Sequence, residues 1–306
     1  MTNQGLIRKI PELRECKEII QIEKGFSADK KYIIHTEKNQ KRLLRIFDCA
    51  DMKQKQLEFM VLKKMEENQV ACSRPKAIGE VGQHGYMITS YIEGEDAEIE
   101  VLKLSEEKQF QVGVEAGEEL KKIHRLQVPP QISSWYSRKA IKHQSYMEAY
   151  QNCGVQVKND EKIIRFIKDH MHLMKDRPNV FQHDDYHLSN LIINNGEFAG
   201  VIDFNRYDWG DPVHEFLKIG IFSREISIPF CTGQIKGYFS GREPDEGFWR
   251  LYSLYLAMCV FSTVVWTLKT IPENLNQMLD KVYTFLEDHN YFEEIVPKWY
   301  RREGGY

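Results

Sequence analysis

The chain has 306 residues, of which 42% are hydrophobic and 28% charged, with a formal net charge of -3. That balance can build a water-soluble core in each of two domains, and it supplies no excess of positive charge for nucleic acid or an anionic membrane surface. The six cysteines, Cys16, Cys49, Cys72, Cys153, Cys231 and Cys259, form no C-x-x-C pair, which argues against a zinc cluster or a disulfide framework and fits a reducing cytoplasm.

The opening MTNQGLIRKIPELRE is charged and lacks an apolar run, so no secretory leader is expected. Residues 18–22 and the apolar KRLLRIFD around Arg45 read as strands, with KGFSADKKYIIHT leading between them. Residues 53–67 place Leu57, Met60, Val61 and Met65 at helical spacing. Residues 74–91 predict two strands turning at 82–85. After Gly94 helices dominate, first the amphipathic 106–126 and then 161–174. The segment 180–203 returns to short strands with a turn at Asn195 and Gly196, and from Asp211 onward the pattern is helical and rich in aromatics. Within it, residues 251–268 carry no charge and reach the lower edge of membrane-spanning length. Ser253, Ser262, Thr263 and the polar tips of the aromatics interrupt the run, so a buried helix of a large helical domain is the expectation.

The chemistry concentrates in QHDDYHLSNLIINNGEFAGVIDF, residues 182–204. Asp185 follows a strand and falls in a loop. Asn190 comes five residues later, just before LIIN, and a tight hairpin leads from there to Asp203. Two short antiparallel strands joined in this way bring Asn190 and Asp203 to one end of the hairpin, with Asp185 beside them. An amide oxygen and a carboxylate, completed by triphosphate oxygens and water, satisfy magnesium. The remaining acid can accept a hydrogen bond from an incoming hydroxyl. His183 and His187 are four apart, but the flanking strands and the lack of a glutamate base argue against a zinc protease. His124 reads as a packed structural histidine, and Phe248, Trp249, Tyr252 and Tyr255 read as core.

H-x-D-x-x-x-x-N followed by a hydrophobic hairpin and I-D-F resembles the aminoglycoside phosphotransferase and choline kinase family, relatives of the protein kinases. The resemblance spans about residues 20–260. It implies a bilobal α+β protein-kinase-like fold, with a small β-rich nucleotide-binding lobe over 1–93, a hinge at 90–94 and a large mainly helical lobe over 94–306. It assigns Asp185 as the catalytic acid, Asn190 and Asp203 as magnesium ligands, and His183 as a structural anchor of the loop. The family's triplet is H-G-D, so Asp184 stands where glycine is usual, and Asn205 replaces the glycine of D-F-G. The resemblance further implies that Lys24, Gly25, Phe26 and Ser27 cover the nucleotide, that Arg45 pairs its phosphates with Glu58 as ion-pair partner, and that backbone groups at Ser90 and Ile92 meet the base.

The implied reaction moves a phosphoryl group from ATP or GTP to a hydroxyl of a small molecule. An aminoglycoside leads the candidates, with Asp208, Asp211 and Glu215 as the carboxylates to meet a polycation. A macrolide, choline, a sugar and an amino alcohol are the alternatives. A nucleotide-binding pseudokinase or scaffold is the alternative of another class, against which the intact Asp185, Asn190 and Asp203 argue. The expected protein is cytoplasmic, a monomer or dimer, with no nucleic-acid or membrane partner.

Overall fold

The computed structural model describes residues 3–23 and 28–302. The chain divides into two compact units. The first comprises Met1–Glu95 together with Ala199–Asn205, and the second comprises Asp96–Phe198 together with Arg206–Tyr306.

The first unit opens with the short helix α1 (Asn3–Ile7) and is organised by an antiparallel sheet of β1 (Cys16–Ile22), β2 (Lys30–Thr36), β3 (Lys41–Asp48), β4 (Pro75–Val81) and β5 (His84–Ser90), in the order β1-β2-β3-β5-β4. Leu44, Ile46, Tyr32, Ile34 and Ile88 lie on one face over Ile7, Ile10 and Leu13. Phe47 and Met87 point the other way and meet Phe59 of α2 (Met52–Glu67). The alternation follows from the two-residue period of a strand, and β3 is buried on both faces because it lies at the centre of the sheet.

Helix α2 corrects the sequence reading. Leu57 and Met60, expected on its inner face, are 51% and 52% exposed. The helix is rotated so that Phe59, Val61, Leu62 and Met65 are buried, and Lys55 and Glu58 are buried with them. Apolar spacing misjudged the face because two charged side chains turn inward to an ionic network described below.

The chain enters the second unit through β6 (Glu95–Asp96) and α3 (Ala97–Glu100). Helix α4 (Glu106–Ile123), capped by Ser105, runs against α9 (Ile228–Tyr238). Between them in sequence come α5 (Trp135–Gln151), α6 (Asp160–His170), β7 (Val180–Gln182), β8 (Leu191–Asn194), β9 (Glu197–Val201), β10 (Asp208–Gly210), α7 (Pro212–Glu215) and α8 (Leu217–Ile221). β8 and β9 turn at Asn195 and Gly196, both at positive φ, as a two-residue hairpin requires. The uncharged stretch lies in α10 (Glu246–Thr270), which is long and apolar enough to cross a membrane. Instead α5, α6, α7 and α11 (Leu275–Asp288) surround it, and Tyr252, Tyr255, Leu256, Val260 and Phe261 have no exposed surface. A helix apolar on all sides is what such a central position demands. The last helix, α12 (Lys298–Arg302), packs near α9.

Candidate active site

The loop from His183 to Asn190 joins β7 to β8. β7 is anchored by antiparallel pairing with β10, Gln182 opposite Asp208, and Gln182 Nε2 donates to the Asp211 carbonyl at 2.7 Å. His183 is fully buried, edge-on to Tyr186, and the Tyr186 hydroxyl donates to the Ala116 carbonyl at 2.7 Å. Asp184 has φ +64°. This left-handed conformation favours glycine and tolerates aspartate, which explains how Asp184 can replace the glycine without displacing the acid that follows.

Asp185 is held on both carboxylate oxygens. Lys218 Nζ lies 3.1 Å and His187 Nε2 3.2 Å from Oδ1. Asn190 Nδ2 donates to Oδ2 at 3.1 Å and to the Asp185 carbonyl at 2.8 Å. Burial would raise the pKa of this carboxyl, but the bonds and charges of His187 and Lys218 outweigh it and hold the group well below the usual carboxylate range. A carboxylate so firmly ionised is a poor proton acceptor and a good hydrogen-bond acceptor, so it is suited to orienting a hydroxyl. The same carboxylates act on Lys218: burial works against its charge, yet Asp185 and Asp184 more than restore it.

Since Asn190 Nδ2 faces two acceptor oxygens, its amide oxygen is left without a hydrogen bond among the described residues. That oxygen is a donor a hard cation can use. In the first unit, Asp203 is exposed, adopts φ +69° and receives Asn205 Nδ2 on Oδ1 at 2.5 Å. No cluster of three or more His, Cys, Asp or Glu ligands occurs among the described residues.

Also in the first unit, Arg45 pairs with Glu58 and places Nε 2.8 Å and Nη2 2.6 Å from Asp29 Oδ2. Lys55 Nζ lies 2.6 Å from the same oxygen. Two cations and two anions thus balance in a buried network. Asp29 and Lys55 were missed in the sequence, where the one available signal was the spacing of Lys55 three residues before Glu58. The Ser90 amide donates to the Arg74 carbonyl at 2.8 Å, so it is already engaged within the sheet; Ile92 follows the end of β5. Lys24, Gly25, Phe26 and Ser27 lie outside the described residues.

The family model described as "phosphotransferase enzyme family" matches residues 18–252. The chain belongs to that family. Its fold is similar to that of aminoglycoside phosphotransferase APH(4)-Ia, solved as a thermostable mutant with ADP and hygromycin B, at 16% identity and TM-score 0.64 over 100% of this chain and 99% of that one. The gentamicin complex of APH(2")-IIa matches at 15% identity and TM-score 0.64, over 92% and 96% of the two chains. ADP-bound APH(2'')-Ib matches at 16% identity and TM-score 0.64, over 92% and 97%. No curated protein matches.

Of the three carboxylates singled out in the sequence, Asp211 and Asp208 are paired with arginines of the protein and Glu215 is buried. Asp211 is fully buried, takes both Arg177 Nε at 2.7 Å and Nη2 at 3.0 Å, accepts from the Tyr255 hydroxyl at 2.7 Å and caps α7. Glu215 is buried with His124 Nε2 3.8 Å away. Asp208 is paired with Arg138 Nη1 at 3.0 Å. Helix α5, absent from the sequence reading, carries Lys139, Lys142 and the buried His143 in this unit. Lys139 Nζ lies 2.7 Å from His214 Nε2.

Proposed function

We propose that this protein is a small-molecule kinase that transfers the γ-phosphoryl group of a nucleoside triphosphate to an alcohol, with Asp185 orienting the acceptor hydroxyl. The observation that carries the reading is the environment of Asp185, ionised by Lys218 and His187 and oriented by Asn190. Phosphoryl transfer passes through a loose transition state, so positioning and charge neutralisation account for most of its acceleration. ATP is the favoured donor because the structural relatives include complexes with ADP and AMP-PNP. Magnesium would be held through the Asn190 amide oxygen and the Asp203 carboxylate, and would neutralise triphosphate oxygens when bound. Arg45 and Lys55 are the cations of the first unit that could face those phosphates. We place the enzyme in the cytoplasm.

Relatedness alone suggests an aminoglycoside acceptor. Asp208, Asp211 and Glu215 lend that choice little support, because the first two are paired with Arg138 and Arg177 and the third is buried. The test is nucleotide consumption across a broad alcohol panel by the native chain and by Asp185→Ala. Turnover is expected to fall about a hundredfold or more in the variant with its circular dichroism unchanged. A near-normal rate would remove Asp185 from the chemistry, and nucleotide binding without turnover on any acceptor would favour a scaffold.

A further inference from the structure

In the second unit the charges of Lys139, Lys142 and Lys218 all reach His214, next to the loop that carries Asp184 and Asp185. Lys139 makes a single hydrogen bond among the described residues, to the ring nitrogen of His214. A neutral imidazole accepts that bond and offers no counter-charge, and an ammonium has two further protons to donate. The face of Trp135 lies 5.4 Å from the same nitrogen. Lys142, one helical turn further along α5, is exposed and makes no ion pair among the described residues. Lys218 is the third cation, bound to Asp185 itself. Asp208 is paired with Arg138 and Asp211 with Arg177, Glu215 is buried in the core, and Asp184 acts on Lys218 and, more weakly, on Lys139.

The titration of these groups agrees with the geometry. Burial, then the charge of Lys142, pulls Lys139 down to about 8. Burial, then Lys139, Lys142 and Lys218, pushes His214 far below its ordinary value. Burial, then Glu215, lifts Asp184 to about 6. Lys142 thus acts against the charge of Lys139, and with Lys218 both act on His214, while Asp185 and Asp184 offset Lys218. A polycationic acceptor would add to that repulsion, whereas an anion would relieve it.

We propose that the acceptor of this kinase is an alcohol bearing a phosphate or carboxylate group, which Lys139 and Lys142 hold while its hydroxyl meets Asp185. Lys218, bound to the orienting acid, neutralises the phosphoryl group in transit. The inference rests on the reading of Asp185 as the acceptor-orienting acid. The γ-phosphorus–oxygen bond to the nucleoside diphosphate breaks and a bond from phosphorus to the acceptor oxygen forms, with Asp185 orienting the hydroxyl as its hydrogen-bond acceptor; the hydroxyl proton is released to water as the new bond completes.

The test is a coupled nucleotide-consumption assay on matched acceptors: neutral sugars and polyols, their phosphate esters, the corresponding sugar acids, and aminoglycosides. The expected result is a preference of about tenfold or more for one anionic series over its neutral parents, the phosphate and acid arms showing which anion is read. In Lys139→Gln and Lys142→Gln the KM for that acceptor should rise about tenfold while the KM for nucleotide moves far less. Preference for aminoglycosides, or a rise confined to the nucleotide KM, overturns the inference while Asp185-dependent turnover keeps the phosphotransfer reading intact. Turnover independent of Asp185 sinks the phosphotransfer reading instead. If no acceptor is consumed, titration of inorganic phosphate and of spermine into the magnesium–AMP-PNP complex decides. Phosphate binding lost in the double lysine variant supports the anion site. Spermine binding, absent phosphate binding, or phosphate binding indifferent to the lysines overturns it.

Discussion

Lys139 shows how a single side chain can cost stability. Its folded pKa of about 8 lies below the ordinary 10.5, with burial the largest cause. Below pH 8 the lysine is charged in both states and the folded chain bears the whole desolvation cost. Between 8 and 10.5 the folded lysine sheds its proton first, and the cost fades as pH rises. Lys139→Met is therefore expected to raise stability at pH 7 by about 1–3 kcal/mol, discounted for partial exposure. Urea titrations at pH 7 and pH 10 check this: the gain should be smaller at the higher pH, and a loss of stability at pH 7 would contradict it. The other decisive residues were legible to different degrees. The D-x-x-x-x-N spacing alone places Asp185 and Asn190, because the Asn190 side chain reaches back across a short turn to Asp185. Lys218, His187 and Asp29 meet their partners through tertiary packing, and no local pattern records such contacts.

At the level of elements, strands and strongly amphipathic helices were readable, whereas α5 was not. Its buried residues are Trp135, His143 and Tyr150, at positions that form no apolar stripe, so periodicity gave no signal. The crossing of α4 and α9 is the converse case, plain in sequence once the structure pairs the helices. Gly113 and Gly117 of α4 face Gly233 and Gly237 of α9, each four apart. A Cβ on Gly117 would lie 2.1 Å from the Gln234 carbonyl oxygen, and one on Gly237 2.0 Å from that of Val114. Alanine normally improves a helix by about 1 kcal/mol over glycine. Here the backbones would have to separate, and the lost packing outweighs the propensity. Gly117→Ala is expected to destabilise the chain by about 2–4 kcal/mol, measured by thermal or urea unfolding. An unchanged or raised melting temperature would show that the helices can part at little cost.

For the whole molecule, bulk charge proved a poor guide to local field. A net charge of -3 conceals the three lysines that act on His214, one of them paired with Asp185, because charges many residues apart converge only through folding. The partition of the chain was also only partly legible: 199–205, which carries Asp203, belongs to the first unit although more than a hundred residues separate it from the rest. If Asp203 binds metal, nucleotide should stabilise the protein in two separable increments. Nucleotide with excess EDTA reports phosphate and base contacts alone; adding magnesium reports the ligands that Asn190 and Asp203 supply. A ligand at one hundred times its dissociation constant stabilises by about 2.7 kcal/mol, a shift of several degrees for a chain of this size. The native protein is expected to melt higher with magnesium and ATP than with ATP and EDTA. Asp203→Ala should keep the smaller increment and lose the difference between the two conditions. A full magnesium-dependent rise in that variant would assign the metal to other residues and leave the positive φ of Asp203 without a functional reason.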